Sequence, residues 1–223
     1  MNTTVIIPAA GLGKRLKSKT DKPFVLINGK PLIAYTLQAV SKCRKVADII
    51  LVVDKKNIDK AKKIIKKYDL KKVAKIIQGG LMRTDSVENG MMEVSNKTDL
   101  IAVHDGARPF ISEKIFHNAI DAAKKYNCSC VCVKVKPTIK KVVNGKIIET
   151  IDRSFLWEAQ TPQVFKKSIF QKAYNKRKKD KLYTDDMSLV EGLGVSVRVV
   201  EGDYNNIKIT TSEDLEQAKR MLK

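Results

Sequence analysis

Histidine is nearly absent: His104 and His117 are the two in 223 residues. That leaves no histidine cluster for a metal centre of the tetrahedral kind. There is no Gly-x-Ser-x-Gly run, and no cysteine–histidine pair stands in a convincing context. Covalent catalysis by an activated serine or cysteine therefore has no visible machinery. No apolar run approaches the length of a membrane span. The start, MNTTVIIPAAG, has no basic segment followed by a long apolar stretch, so a secretory signal is not expected and a cytoplasmic location is.

Tryptophan occurs once, and aromatics make up 6% of the chain. This weighs against nucleic acid as a partner despite a net charge of +20. Single-strand binders interleave stacking rings with their cations. Here the charge is mostly scattered lysine. The densest run, KKNIDKAKKIIKKYDLKK (55–72), puts Ile58, Ala61, Ile64, Ile65 and Tyr68 on one helical face, and its lysines read as a solvated surface. A second run, YNKRKKDK (174–181), reads as a loop or helix end. A basic protein suits small acidic substrates equally well. Cysteines number four, and Cys128, Cys130 and Cys132 alternate in NCSCVCVKV. Alternation puts all three on one face of a core strand rather than around zinc. Nothing suggests disulfides, which fits a reducing compartment.

What is present is alternation. Strands are expected at 4–8, 49–53, 73–77, 100–103, 129–135 and 195–200. Helices are expected at 31–41, 58–68, 85–92, 113–125, 167–175, 184–193 and 212–222, the last capped by Ser212. This order predicts an α/β fold with a mostly parallel sheet and ligands at the carboxyl ends of its strands. One segment interrupts it. TIKKVVNGKIIETI (138–151) places two β-rich runs around Asn144-Gly145, a two-residue hairpin signal. It reads as a projecting arm. Its apolar Val142, Val143, Ile147 and Ile148 need cover, for which a second subunit is a natural source.

Five segments can carry chemistry. After the first strand comes PAAGLGKRLKSKTDKPF (8–24). It is neither a Walker A loop nor a GxGxxG fingerprint, since Arg15 follows Gly13-Lys14 and Leu16 stands where the third glycine belongs. Its glycines still let backbone N–H groups approach a polyphosphate. Arg15 and Lys22 fit the neutralisation of charge growing on phosphorus oxygens. GGLMRTDSVENG (79–90) offers backbone near Gly80 and the Ser86 hydroxyl to a base or ribose, with ordinary capping as the competing reading. LIAVHDGARPF (100–110) ends a buried strand on Asp105, a position suited to a divalent metal on a triphosphate. There Gly106 allows close approach, Arg108 can pair with a phosphate, and His104 reads as a packing or hydrogen-bonding residue. IDRSFLWEAQTPQVF (151–165) supplies Arg153, a rigid Thr161-Pro162-Gln163 turn, and Trp157 as a packing anchor. GDYNNIKITTSEDL (202–215) sets Lys208 in a short strand near the sheet edge; a surface lysine is the competing reading. A substrate phosphate attacking a nucleotide α-phosphorus needs alignment, a metal and cations, and no general base. The five segments offer candidates for each.

Taken together and in order, PAAGLGKR, DKPF, GGLMRTDSV, VHDGARPF, DRSFLWEAQTPQVF, TDDMSLVE and NIKITTSEDL resemble the 2-C-methyl-D-erythritol 4-phosphate cytidylyltransferases of the non-mevalonate isoprenoid pathway. The resemblance implies a three-layer α/β/α nucleotidyltransferase fold, a single domain over 1–223 with a dimerising β-arm at about 137–155, and Mg²⁺-dependent use of CTP. By position, Arg15 and Lys22 would stabilise the pentacoordinate phosphorus, and Lys208 would help orient the reacting phosphates. Asp105 would hold Mg²⁺ or substrate hydroxyls. Arg108, Thr138, Arg153 and Thr161 match the methylerythritol phosphate pocket, with Arg153 and Thr161 reaching from the partner subunit. Pro8, Ala9, Ala10, Gly11, Gly13, Gly80, Ser86 and Gly106 match the CTP site. Two positions depart: Leu81 replaces a polar residue some members use near the base, and Asn205 stands where some have Asp, leaving a second metal carboxylate in doubt. Ribitol-5-phosphate cytidylyltransferases share the loop, the TPQ turn and the closing Asn-x-Lys pattern; the Gly106-Ala107 pair looks more like the isoprenoid enzymes. Sugar-1-phosphate nucleotidyltransferases and a basic nucleic-acid-binding module are the looser rivals.

Overall fold

A computed structural model of the chain describes residues 2–11, 21–178 and 183–222. Strands run β1 Thr3–Pro8, β2 Leu26–Ile27, β3 Lys30–Pro31, β4 Val46–Val53, β5 Val73–Gln78, β6 Leu100–Val103, β7 Cys128–Lys134, β8 Ile139–Val143, β9 Lys146–Ile151, β10 Trp157–Lys166 and β11 Arg198–Glu201. The helices are α1 Leu32–Lys42, α2 Ile58–Lys67, α3 Arg83–Met92, α4 Glu113–Tyr126, α5 Lys167–Asn175, α6 Met187–Glu191 and α7 Ser212–Met221. Among the described residues no helix is long and apolar enough to cross a membrane.

The central sheet has the order β11-β7-β10-β6-β1-β4-β5. Its pairs are parallel except where β10 runs antiparallel between β6 and β7. Alternate side chains divide between its two faces, as a pleated strand requires. Val5, Ile7, Ile49, Leu51, Val53, Leu100 and Ala102 pack against α1, α2 and α4. Ile6, Ile50, Val52, Ile101, Val103 and the three alternating cysteines pack against α3, α5 and α6. Strands buried on both faces read as continuous apolar runs, which is why the β1, β4 and β6 runs stand out in the sequence. The lysine-rich α2 buries Ala61 and Ile64 and turns its charges outward.

The expected fold class is present, and three local readings change. The TPQ segment is part of β10, which was not expected as a strand. A proline interrupts a ladder, and here Thr161-Pro162, a cis peptide, falls where pairing with β7 shifts register between Ala159 and Gln163. The cap of α7 is Thr211 rather than Ser212: its hydroxyl accepts from Asp214 N at 3.3 Å, and the Asp214 carboxylate reaches back to Thr211 N at 2.9 Å. The helix expected at 184–193 shortens to α6, because the Asp185 side chain accepts from Ser188 N at 3.1 Å and ends the preceding turn.

The arm follows its sequence signal. β8 and β9 pair antiparallel, with Asn144 and Gly145 at φ of +50° and +77°, the left-handed pair a type I′ turn requires. Val142, Val143, Ile147 and Ile148 are each at least half exposed. Trp157, expected as a packing anchor, is not buried in the single chain. It lies 37% exposed at the start of β10 beside an exposed Phe155, with the Lys134 ammonium 5.6 Å from its ring centre.

Candidate active site

Three loops leave the carboxyl ends of β1, β5 and β6 and enclose a cavity of about 300 Å³. Pro8, Ala9, Ala10 and Gly11 form one wall, Gly80 to Arg83 with Ser86 a second, and Asp105, Gly106 and Ala107 the floor. Lys22 and Lys208 complete the lining. Eight of the residues singled out from sequence as nucleotide, metal or catalytic groups thus share one cavity with Asp105 and Lys208: Pro8, Ala9, Ala10, Gly11, Lys22, Gly80, Ser86 and Gly106. Gly13 and Arg15 lie outside the described residues.

The backbone is drawn tight around this space. Ala9 N donates to Val52 O at 2.7 Å, tying the first loop to β4. A side chain on Gly106 would meet Ala9 Cβ at 3.2 Å and Ile33 Cδ1 at 3.1 Å, so glycine lets the floor approach the first wall. Ser86 lines the cavity, but its hydroxyl is already at work. It accepts from Gly80 N at 3.2 Å and donates to Met82 O at 3.2 Å. It can therefore offer a ligand only its remaining lone pair. Lys22 follows Asp21, whose carboxylate takes Asn57 Nδ2 at 2.8 Å and Lys56 Nζ at 3.1 Å. These contacts fix the chain where it re-enters the site.

Asp105 is the only carboxylate among the described lining residues. Its Oδ2 lies 2.9 Å from Lys208 Nζ and 3.5 Å from Arg108 Nε, and its Oδ1 lies 3.5 Å from Arg83 Nε. Burial opposes its charge; Arg83, Lys208 and Arg108 outweigh burial and hold the carboxyl well below the usual carboxylate range. Arg83 is itself held by Asp186, Nη1 to Oδ2 at 2.7 Å. Lys208 is not in a strand. Residues 207–210 are irregular, and Ile209 N to Ala107 O at 2.9 Å is the bond that brings Lys208 over the floor rather than to the sheet edge. Arg108 is buried behind Asp105; its Nη1 donates to Asn206 O at 2.6 Å, while its Nε has no hydrogen-bond partner.

His104 has the packing role expected of it. Its Nε2 faces Arg108 O at 3.0 Å, and a carbonyl only accepts, so Nε2 carries the proton. Nδ1 then accepts from the Thr161 hydroxyl at 3.1 Å. The same hydroxyl accepts from Asp105 N at 3.0 Å. Within its own chain Thr161 is thus buried, with its hydroxyl engaged by Asp105 N and His104 at the floor. Thr138 and Arg153 stand exposed at the base of the arm, outside the cavity lining. Asn205 is exposed in a turn closed on Asp203 and brings no ligand to the cavity. Among the described residues no group of three His, Cys, Asp or Glu could hold a metal by itself.

Sequence reasoning passed over Arg83, Asp186, Tyr174 and Asn57. The signals were present: Arg83 stands inside GGLMRTDSV and Asp186 inside TDDMSLVE. Neither segment shows from spacing alone that the two meet.

Residues 3–223 match the family described as 2-C-methyl-D-erythritol 4-phosphate cytidylyltransferase. A protein of that name from Bacillus cereus (strain ATCC 10987 / NRS 248) is 44% identical over 220 residues, covering 98% of this chain and 97% of its own length. Another from Halalkalibacterium halodurans is 39% identical over 223 residues, covering 100% and 97%. The crystal structure of 4-diphosphocytidyl-2C-methyl-D-erythritol synthase from Anaerococcus prevotii DSM 20548 superposes with a TM-score of 0.86 at 33% identity, covering 99% of this chain and 95% of that one.

Proposed function

The chain belongs to the 2-C-methyl-D-erythritol 4-phosphate cytidylyltransferase family, and on that premise we propose how its residues divide the work. The enzyme transfers CMP from CTP to 2-C-methyl-D-erythritol 4-phosphate in isoprenoid biosynthesis and releases pyrophosphate. In our reading a phosphate oxygen of the acceptor forms the new bond to the α-phosphorus, and the bond from that phosphorus to the bridging oxygen of pyrophosphate breaks. The attacking oxygen is already anionic, so no residue has to remove a proton.

The observation that carries this reading is the charge arrangement around the cavity. Lys22, Arg83 and Lys208 line it with one carboxylate, a net positive site suited to a triphosphate. Gly11, Gly80 and the backbone between Pro8 and Ala10 hold the nucleotide. Lys22, with Arg15, stabilises charge on the α-phosphate in the transition state, and Lys208 orients the two reacting phosphates. Arg108, whose Nε lies 3.5 Å from Asp105 Oδ2 and makes no hydrogen bond, serves the acceptor phosphate from behind the floor. Asp105, the one carboxylate of the described lining, would be the residue to hold a divalent cation carried in with the triphosphate. Bound there, Mg²⁺ would withdraw charge from the phosphates.

Thr138 and Arg153 serve the acceptor from a second copy, through a homodimer joined by the arm at about 137–155. Their exposure away from the cavity supports that, as do the apolar residues of the arm. Residues 1–223 act as one catalytic domain. Water-soluble substrates support a cytoplasmic site of action. The test is pyrophosphate release from CTP with methylerythritol phosphate, ribitol 5-phosphate and sugar 1-phosphates in parallel. Release with the first alone is expected; equal turnover of ribitol 5-phosphate would overturn the acceptor assignment.

A further inference from the structure

The segment Thr184–Glu191 contributes nothing to the cavity lining, yet it places a charge at the centre of the molecule. The Asp186 side chain is fully buried. A lone carboxylate there would be costly, and Asp186 is not alone. Its Oδ2 accepts from Arg83 Nη1 at 2.7 Å and its Oδ1 from the Tyr174 hydroxyl at 2.7 Å. Its backbone N donates to Gln163 Oε1 at 3.1 Å, in the middle of the sheet. The carboxylate therefore has one available position.

Arg83 begins α3, directly after the Gly79–Met82 loop. One edge of its guanidinium is fixed on Asp186; another, Nε, faces Asp105 Oδ1 at 3.5 Å. Asp105 Oδ2 meets Lys208 at 2.9 Å. The floor carboxylate thus sits between a cation anchored in the core and a cation that must reach phosphate. A planar guanidinium can bridge two carboxylates from separate elements, whereas a lysine is one point charge and cannot.

We infer that Arg83 is a positioning residue for the transfer reaction: Asp186 and Tyr174 fix its guanidinium, and the guanidinium holds Asp105 in register with Lys208. Without it Asp105 turns wholly to Lys208 and Arg108, and Lys208 is less available to the reacting phosphates. This rests on Asp105 belonging to the reaction site, as proposed above.

The experiment is a set of kinetic cycles. Arg83→Lys and Tyr174→Phe are each measured in the wild-type and the Asp105→Asn background, with thermal unfolding of every variant. Arg83→Lys should lower kcat by roughly 10- to 100-fold, on the scale of a lost electrostatic contact, with the KM for CTP within about threefold. Tyr174→Phe should shift kcat the same way by less. In the Asp105→Asn background both further losses should shrink to under about threefold, because the group they act through is gone. If steady-state turnover there is below detection, single-turnover transfer from labelled CTP at excess enzyme closes the same cycle on the transfer step. An equal factor in both backgrounds, or an unchanged kcat in folded Arg83→Lys, overturns the inference. Full activity in Asp105→Asn alone would instead overturn the reading of the site on which it rests.

Discussion

Thr161 and His104 share a buried hydrogen bond of 3.1 Å in which the threonine is the donor. It joins the irregular stretch of β10 to the loop that ends β6. Burial pulls the His104 imidazole down to about 4, so it stays neutral in the folded protein through the physiological range.

The pH dependence of stability follows. An unfolded histidine titrates near 6.5. Between about 4 and 6.5 the unfolded chain binds a proton that the folded chain refuses, so stability falls as pH drops through that window. Above it both states are neutral and the effect vanishes. The loss attributable to His104 should reach about 3 kcal/mol at the acid end. Urea unfolding of the wild type and of His104→Asn from pH 8 to pH 4 checks this: the slope between 6.5 and 4 should be shallower in the variant.

Lys22→Ala should lose at least ~100-fold in kcat, the scale of removing one preorganised stabiliser of transition-state charge. Wild-type turnover in steady-state pyrophosphate release would contradict the role given to it.

Arg153 stands exposed beside the arm and away from its own chain's cavity. Arg153→Ala should therefore be poorly active, and so should Lys22→Ala. Mixed dimers of the two should regain activity, because one site in each then has both groups intact. Verified mixed dimers without recovery would show that the sites are not shared.

The apolar arm gives a separate prediction. Ile148 is 60% exposed in a single chain. Ile148→Lys should weaken dimerisation and move the protein toward monomer in sedimentation velocity at micromolar concentration, while the wild type runs as a dimer.

Gly90 tests the packing beneath the site. A Cβ there would come 2.5 Å from Ile6 Cγ2, where α3 crosses β1. Gly90→Ala should cost about 1–3 kcal/mol, as overpacking does, measured as a lowered urea midpoint with unchanged slope.

Strands β1, β4 and β6 were legible in the sequence because strands covered on both faces leave long apolar runs. The Asn144-Gly145 turn was legible because its backbone demands those residue types. β10 was not, because Pro162 marks an interrupted ladder and reads like a turn. Asp105 and Lys208 were legible as a carboxylate closing an apolar strand and a cation in a likeness motif. Their salt bridge was not, since it depends on how residues 207–210 cross the floor. Arg83 and Asp186 were hidden for the same reason. A buried ion pair leaves two unremarkable letters far apart in the chain.

The sheet order bears on when the site can exist. β1 is the first strand made, yet it lies between β4 and β6 and cannot be paired on both sides until residue 103 has been synthesised. The groups that complete the floor lie later in the chain: Asp186, which anchors Arg83, and Lys208, which pairs with Asp105 itself. The site is therefore the last part of the fold to close: with β1, β4 and β6 paired, Asp105 still lacks Lys208 until the stretch after β11 bonds back onto Ala107.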